Sequence, residues 1–254
     1  FGYKMNKLFQ IFLIFFLGLL FWFGWYYIKN QGFLATQSLK VNLPYDPPTV
    51  DWNSISDQTS SLIAENIMEG LVSFDFNDKI TISPRLAKSW KLEKYTPHGT
   101  YLLVFSLRPG ILWSDGVELE AAHFFDSFRR LLSPEENSPN ASLLYPIRNA
   151  KRFNDNELKD FNEVGIKVTG KYELSLELNE NLINFVSTFT HPATFPIRID
   201  FIKNSLEKNE NPWNKPIEIP IIGAYRISSW QRENSITLKS NEKYWDTKPK
   251  IKKI

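Results

Sequence analysis

The chain has no cysteine. That excludes disulfides, thiolate metal sites, a cysteine nucleophile and a lipid anchor carried on cysteine. Only three histidines occur, His98, His123 and His191, and no H-E-x-x-H, H-x-H or carboxylate spacing joins them into a metal site. Neither G-x-G-x-x-G nor G-x-x-x-x-G-K-[ST] is present to cradle a phosphate, and no G-x-S-x-G elbow presents a nucleophilic serine. Catalysis has no candidate residues, no cofactor is expected and the metal set is empty. Charge of one sign is also scarce, since 30 basic against 28 acidic residues leave a net +2 without a dense Lys/Arg block. A nucleic-acid partner is therefore not expected. What the 254 residues do hold is apolar and aromatic matter, 43% hydrophobic with 8 Trp, 10 Tyr and 20 Phe, enough for a sizeable core in one or two domains.

The one long apolar run lies at Leu8–Ile28, behind Lys4 and Lys7 and interrupted by Gln10 and two glycines. It is long enough to cross a bilayer, which takes about 20 residues. A cleaved signal peptide and a retained anchor are the two readings. Trp22, Trp25, Tyr26 and Tyr27 gather at its far end like an interfacial belt, and the following QGFLATQS offers no A-x-A site, so the anchor is favoured. The lysine pair orients the N-terminus to the cytoplasm and exports the remainder. Both ends of the chain read as cut, with Met5 the expected start.

Periodicity then divides the chain into short elements. Asp57 caps a helix on which Leu62, Ile63, Ile67, Met68 and Leu71 recur at helical spacing. Ser38–Leu43 and Val72–Phe74 read as strands, and Trp90–Leu92 pairs with Tyr101–Leu107 across Thr96-Pro97-His98-Gly99. Pro109-Gly110 ends that hairpin, Ile111–Trp113 resumes an extended run, and Ser114-Asp115-Gly116 closes it as a tight turn. The period next becomes helical, with Ala121, Phe124, Phe125, Phe128, Leu131 and Leu132 on one stripe and Glu120, His123, Asp126, Arg129 and Arg130 on the other. Val164–Val168 and Tyr172–Leu178 alternate as paired strands, Asn181–Phe189 starts a helix, and a further strand pair surrounds Ile236–Leu238.

Those segments resemble the family 5 extracellular solute-binding proteins, the oligopeptide- and dipeptide-binding components of ABC importers. The likeness rests on Phe105, Leu107, Arg108 and Gly110 for F-x-L-R-x-G, on Trp113, Asp115 and Gly116 for W-x-D-G, and on Ala121, Phe124, Ser127, Phe128, Arg129 and Leu131 in the helix. It extends to Glu69-Gly70-Leu71, Pro84–Trp90, Leu144–Ala150, Gly223–Ile227 and Asn241–Asp246. Glu120 stands where a capping Thr or Ser is usual, so a weaker helix N-cap is expected.

The resemblance implies a mixed α/β, periplasmic binding protein-like fold of two lobes with an extra inserted domain, the second lobe being absent from this chain. Residues 1–35 would be the membrane segment, 36–55 and 166–254 an incomplete first lobe, and 56–165 the inserted smaller domain. It also implies that Asp46, Pro47 and Pro48 border the ligand cleft. Tyr225, beside Gly223 at a strand end, is the ring placed nearest to it. The expected function is extracytoplasmic binding of oligopeptides and their delivery to ABC permease subunits, from a periplasmic position tethered to the cytoplasmic membrane. The alternatives are a tethered peptide sensor on the same fold, or a binder of a nickel complex, murein peptide or oligosaccharide, because one fold carries many ligands. A hydrolase with dispersed carboxylates is the enzymatic rival.

Overall fold

The computed structural model describes residues 16–22, 25–26, 38–76, 80–95 and 100–254. Helix α1 (Gln58–Ile67) starts where expected, because the Asp57 carboxylate accepts the Ser60 N–H at 2.8 Å. It buries Ile63, Ala64 and Ile67 on one face. Strands β1 (Val72–Asp75) and β2 (Thr81–Pro84) form an antiparallel hairpin. The turn expected at Asn77-Asp78 lies outside the described residues.

The centre is an antiparallel sheet of β3 (Ala87–Tyr95), β4 (Thr100–Leu107), β5 (Ile166–Gly170) and β6 (Glu173–Leu178) in the order β3-β4-β6-β5. Leu103, Phe105 and Leu107 point from β4 into the core, as their alternation requires. Helix α2 (Ala121–Leu132) covers that face with Phe124, Phe128, Leu131 and Leu132, and Ser133 ends it. Between sheet and helix sits Phe189 of a 3-10 helix (Ile183–Thr190), 5.1 Å from the Phe105 ring and 5.7 Å from Phe128. Burying each such ring contributes roughly 1.5–3 kcal/mol. The helix anticipated at Asn181–Phe189 is thus a tighter 3-10 coil that starts two residues later.

The N-terminus of α2 is secured both by a side chain of its own first turn and by a neighbouring turn. The Ala121 N–H donates to the carbonyl of Lys171 in the β5–β6 turn at 2.9 Å, and His123 Nδ1 accepts the Glu120 N–H at 3.0 Å. A short helix α3 (Ala150–Asn154) and helix α4 (Ile199–Glu207) follow in the two halves of the remaining chain. Strands β7 (Tyr225–Gln231) and β8 (Ser235–Ser240) make a second antiparallel hairpin. Lys253 bridges β8 at Lys239, and Ser38 bridges Lys253 in parallel.

One expectation changes. Ser38–Leu43 forms no strand of its own: Ser38 bridges Lys253 and the Leu39 N–H donates to the Lys253 carbonyl at 2.8 Å, and the pairing goes no further along the segment. Strands from either side of the division expected at 165/166 share one sheet. Leu103 faces Leu176 and Phe105 faces Leu174 across the β4–β6 register, so one sheet crosses the boundary. Most of Leu8–Ile28 lies outside the described residues; residues 16–22, 25 and 26 are helical, and among the described residues no helix is long and apolar enough to cross a membrane.

Candidate functional site

Proline geometry makes the 44–48 segment extended, and side chains then bolt it to the end of β7. Trp230 Nε1 donates to Asp46 Oδ1 at 2.8 Å, while Arg232 donates to Asp46 Oδ2 at 3.1 Å and to the Pro47 carbonyl at 2.7 Å. The Arg232 guanidinium also stacks on Trp230, 3.7 Å from the ring centre. Burial opposes the charge on Asp46, but the hydrogen bonds from Trp230 and Arg232 outweigh it and hold the carboxyl below its ordinary range. Pro47 is buried; Tyr45 and Pro48 are left facing outwards.

Gly223 and Tyr225 serve the packing at the other end of the same strand. The Gly223 N–H donates to the Ile67 carbonyl at 2.8 Å, and Asn241 Nδ2 donates to the Gly223 carbonyl at 2.9 Å. A Cβ at Gly223 would lie 2.4 Å from the Ile67 carbonyl carbon, so only glycine admits the end of α1 this closely. Tyr225 is 9% exposed, donates its hydroxyl to the Ile251 carbonyl at 3.0 Å, and has its phenol pKa pushed up by burial. From Tyr225 to Trp230 is about 16 Å along an extended strand. The two sets of anticipated residues therefore stand at opposite ends of β7.

Between them in importance stands a cluster that sequence reasoning passed over. Asp51 takes both Arg130 nitrogens at 2.7 Å, and Arg130 Nη2 also reaches Glu136 at 2.8 Å. Asn53 donates to Ser127 Oγ at 3.1 Å and to the Ala193 carbonyl at 2.7 Å, while Ser138 and Asn140 donate to the carbonyls of Asn53 and Ile55, each at 2.6 Å. Trp52 is buried edge-on against Trp213 at 5.2 Å, and Arg130 lies over Trp213 at 5.6 Å. Burial alone would weaken the Arg130 cation, but its bonds to Asp51 outweigh that and raise its pKa, so the guanidinium keeps its charge. The whole loop 46–55 is thus fixed along its length. Arg130 had been placed on the polar stripe of its helix; the signal that could have moved it is Asp-Trp-Asn, a carboxylate and an amide flanking a ring that needs burial.

A second cluster joins motifs far apart in sequence. Arg85 binds Glu69 at 2.5 Å and Asp246 at 2.9 Å, and its Nη2 lies 2.6 Å from the Tyr244 hydroxyl. Tyr244 also donates to Glu69, Trp245 Nε1 donates to Glu69 Oε2 at 3.1 Å, and Arg85 and Arg108 stack on Trp245 at 5.1 and 5.6 Å. The W-S-D-G turn is tied in as well: the Ser114 N–H donates to the Ile221 carbonyl at 2.8 Å, and Arg198 donates to Asp115 at 2.7 Å. E-G-L, P-x-L-A, F-x-L-R-x-G and N-x-x-Y-W-D therefore meet in one place. The sequence description of the bacterial extracellular solute-binding proteins, family 5 Middle, matches residues 81–254. The chain belongs to that family.

Within family 5, the chain is 28% identical over 219 residues to the probable deoxycholate-binding periplasmic protein YgiS of Escherichia coli K12, covering 85% of this chain and 39% of that one. It is 28% identical over 212 residues to the periplasmic oligopeptide-binding protein OppA of Salmonella typhimurium LT2, covering 83% and 37%. The substrate-binding domain of an oligopeptide ABC transporter from Bacillus anthracis str. Ames superposes with a TM-score of 0.74 at 27% identity, over 83% of this chain and 39% of that one. The chain thus spans about two fifths of the length of these family 5 relatives. Among the described residues no cluster of His, Asp or Glu is arranged to hold a metal ion.

Proposed function

We propose that this chain supplies one wall of the ligand cleft of an extracytoplasmic peptide-binding protein, one that hands oligopeptides to the permease subunits of an ABC importer. The observation that carries the reading is the immobilised loop 46–55. It is stapled at Asp46 to Trp230 and Arg232 and at Asp51 to Arg130, yet it leaves Tyr45 and Pro48 outward. A fixed, non-helical backbone edge is what main-chain pairing with an extended peptide needs, since it recognises a peptide with little regard to side chains. Its rigidity also spares the ordering cost of binding. The oligopeptide-binding relatives support the ligand class. Gly223 and Tyr225 act in this reading as supports beneath the wall.

The inserted unit is proposed to reach through Leu178, which the continuous sheet β3-β4-β6-β5 favours over an end at 165. Leu8–Ile28 is proposed to tether the protein to the cytoplasmic membrane. No catalytic step belongs to the proposal; the family is one of solute-binding proteins.

Calorimetry tests it. A single wall leaves the other side of a peptide in water, so this chain alone is expected to show no saturable heat with short peptides at micromolar concentration, whereas a form extended by a second lobe binds them. Tight binding of deoxycholate and not of peptides by the extended form would replace the peptide with an apolar solute, the ligand named for one relative. Peptide uptake that survives deletion of the gene would leave a sensor rather than an importer component.

A further inference from the structure

The β7–β8 hairpin carries a row of like charges. Arg226 faces Lys239 across the hairpin, Lys239 faces Lys253 in the bridge beyond it, and Lys253 faces Ser38. All three cations are exposed, and none has an ion-pair partner among the described residues. Directly opposed like charges repel and work against the sheet. Their neighbours on the same outward face, Ser229 opposite Thr237 and Gln231 opposite Ser235, supply no carboxylate to relieve them. The opposite face holds Tyr225, Ile227 and Leu238 in the core, so the row cannot turn inwards.

We propose that this row is a contact surface for a membrane bearing anionic phospholipid, which the tethered protein lays against the headgroups. The inference rests on the reading of Leu8–Ile28 as an anchor. Ser38, the last member of the row, is separated from Ile28 by a stretch that can extend at most about 35 Å. Whatever holds the apolar run therefore holds the cationic row close by. Anionic headgroups attract such cations only within a Debye length, about 8–10 Å at ordinary salt, so the contact is salt-sensitive by nature. Three cations at the surface should favour the docked state by on the order of a hundredfold.

The test uses the full chain with a single cysteine introduced at Ser229, on the outward face but outside the row, carrying an environment-sensitive fluorophore. Phosphatidylcholine vesicles are compared with vesicles that also contain phosphatidylglycerol. The expected result is a blue-shifted emission with the anionic vesicles only, lost as salt rises from about 0.05 to 0.5 M. It is lost as well in the Arg226→Gln, Lys239→Gln, Lys253→Gln variant, which removes repulsion and so leaves the sheet no less stable. Equal emission in both vesicle types, or an unchanged shift in the Gln variant, overturns the proposal. Flotation with pure phosphatidylcholine reads the anchor separately: a chain that fails to float there but still shifts with phosphatidylglycerol refutes the tether and keeps the surface.

Discussion

The indole of Trp245 donates to the carboxylate of Glu69 at 3.1 Å across 176 positions of sequence. Arg85 and Tyr244 converge on the same carboxylate. Burial, then the Glu69 charge, pushes the Tyr244 phenol above its ordinary value, so it stays a neutral donor. Glu69→Ala would leave the Arg85 cation, a quarter exposed, without its main counter-charge. The expected loss is roughly 2–3 kcal/mol, read as a lower urea midpoint with an unchanged slope. A loss under about 0.5 kcal/mol would show the cluster to be surface decoration.

Gly223→Ala separates support from recognition. The new methyl would collide with backbone atoms of Ile67 and Met68, at 2.4 and 2.6 Å. Backbone cannot step aside as a side chain can, so the expected cost exceeds about 2 kcal/mol in thermal or chemical unfolding. If stability is unchanged while peptide binding by the extended form collapses, Gly223 belongs to the cleft itself.

Trp113 is fully buried, edge-on to His123 at 5.5 Å. Truncation to alanine should cost roughly 3–5 kcal/mol, as for other large core rings. Denaturant unfolding of Trp113→Ala measures it, and a change below about 1 kcal/mol contradicts the packing described.

Acid should weaken the fold through two histidines. His123 Nδ1 accepts the Glu120 N–H and His191 Nδ1 accepts the Ala193 N–H at 3.1 Å, and protonation removes either acceptor. Burial lowers both pKa values below 6.5, with the Arg198 charge adding to the effect at His123. Between the folded and unfolded values the unfolded chain binds more protons, so stability is complete above about pH 6.5 and falls as pH drops through that window. Glu65 and Asp126, whose carboxyls burial raises, act with the opposite sign at lower pH. The reading is therefore the difference between the native chain and His123→Gln/His191→Asn, in which both acceptors persist without titrating. The variant should lose the slope between about pH 7 and 5 and keep the neutral-pH stability; an equal slope in both removes the histidines from the account.

Local pattern and residue chemistry were enough for much of the fold. The alternation of Leu103, Phe105 and Leu107 and the stripe of Phe124, Phe128 and Leu131 specify a strand and a helix with one buried face each, because strand and helix periods differ. The Asp57 cap and the Ser114-Asp115-Gly116 turn are likewise properties of a few adjacent residues, and the family motifs were legible from 69 to 246. What tertiary structure alone decided is which distant groups meet. Nothing local to Arg130 says that it is buried against Asp51, since a helix stripe records polarity and not the partner that allows a charge to leave water. Gly223 and Tyr225 read as cleft neighbours because a strand-end glycine beside a ring is ambiguous; that the Gly223 N–H bonds to the Ile67 carbonyl at 2.8 Å is visible only in the tertiary structure. The sheet crosses the expected boundary at 165/166 because β4 pairs with β6 across more than sixty intervening residues, and such pairing depends on matching whole faces, which no window of sequence contains.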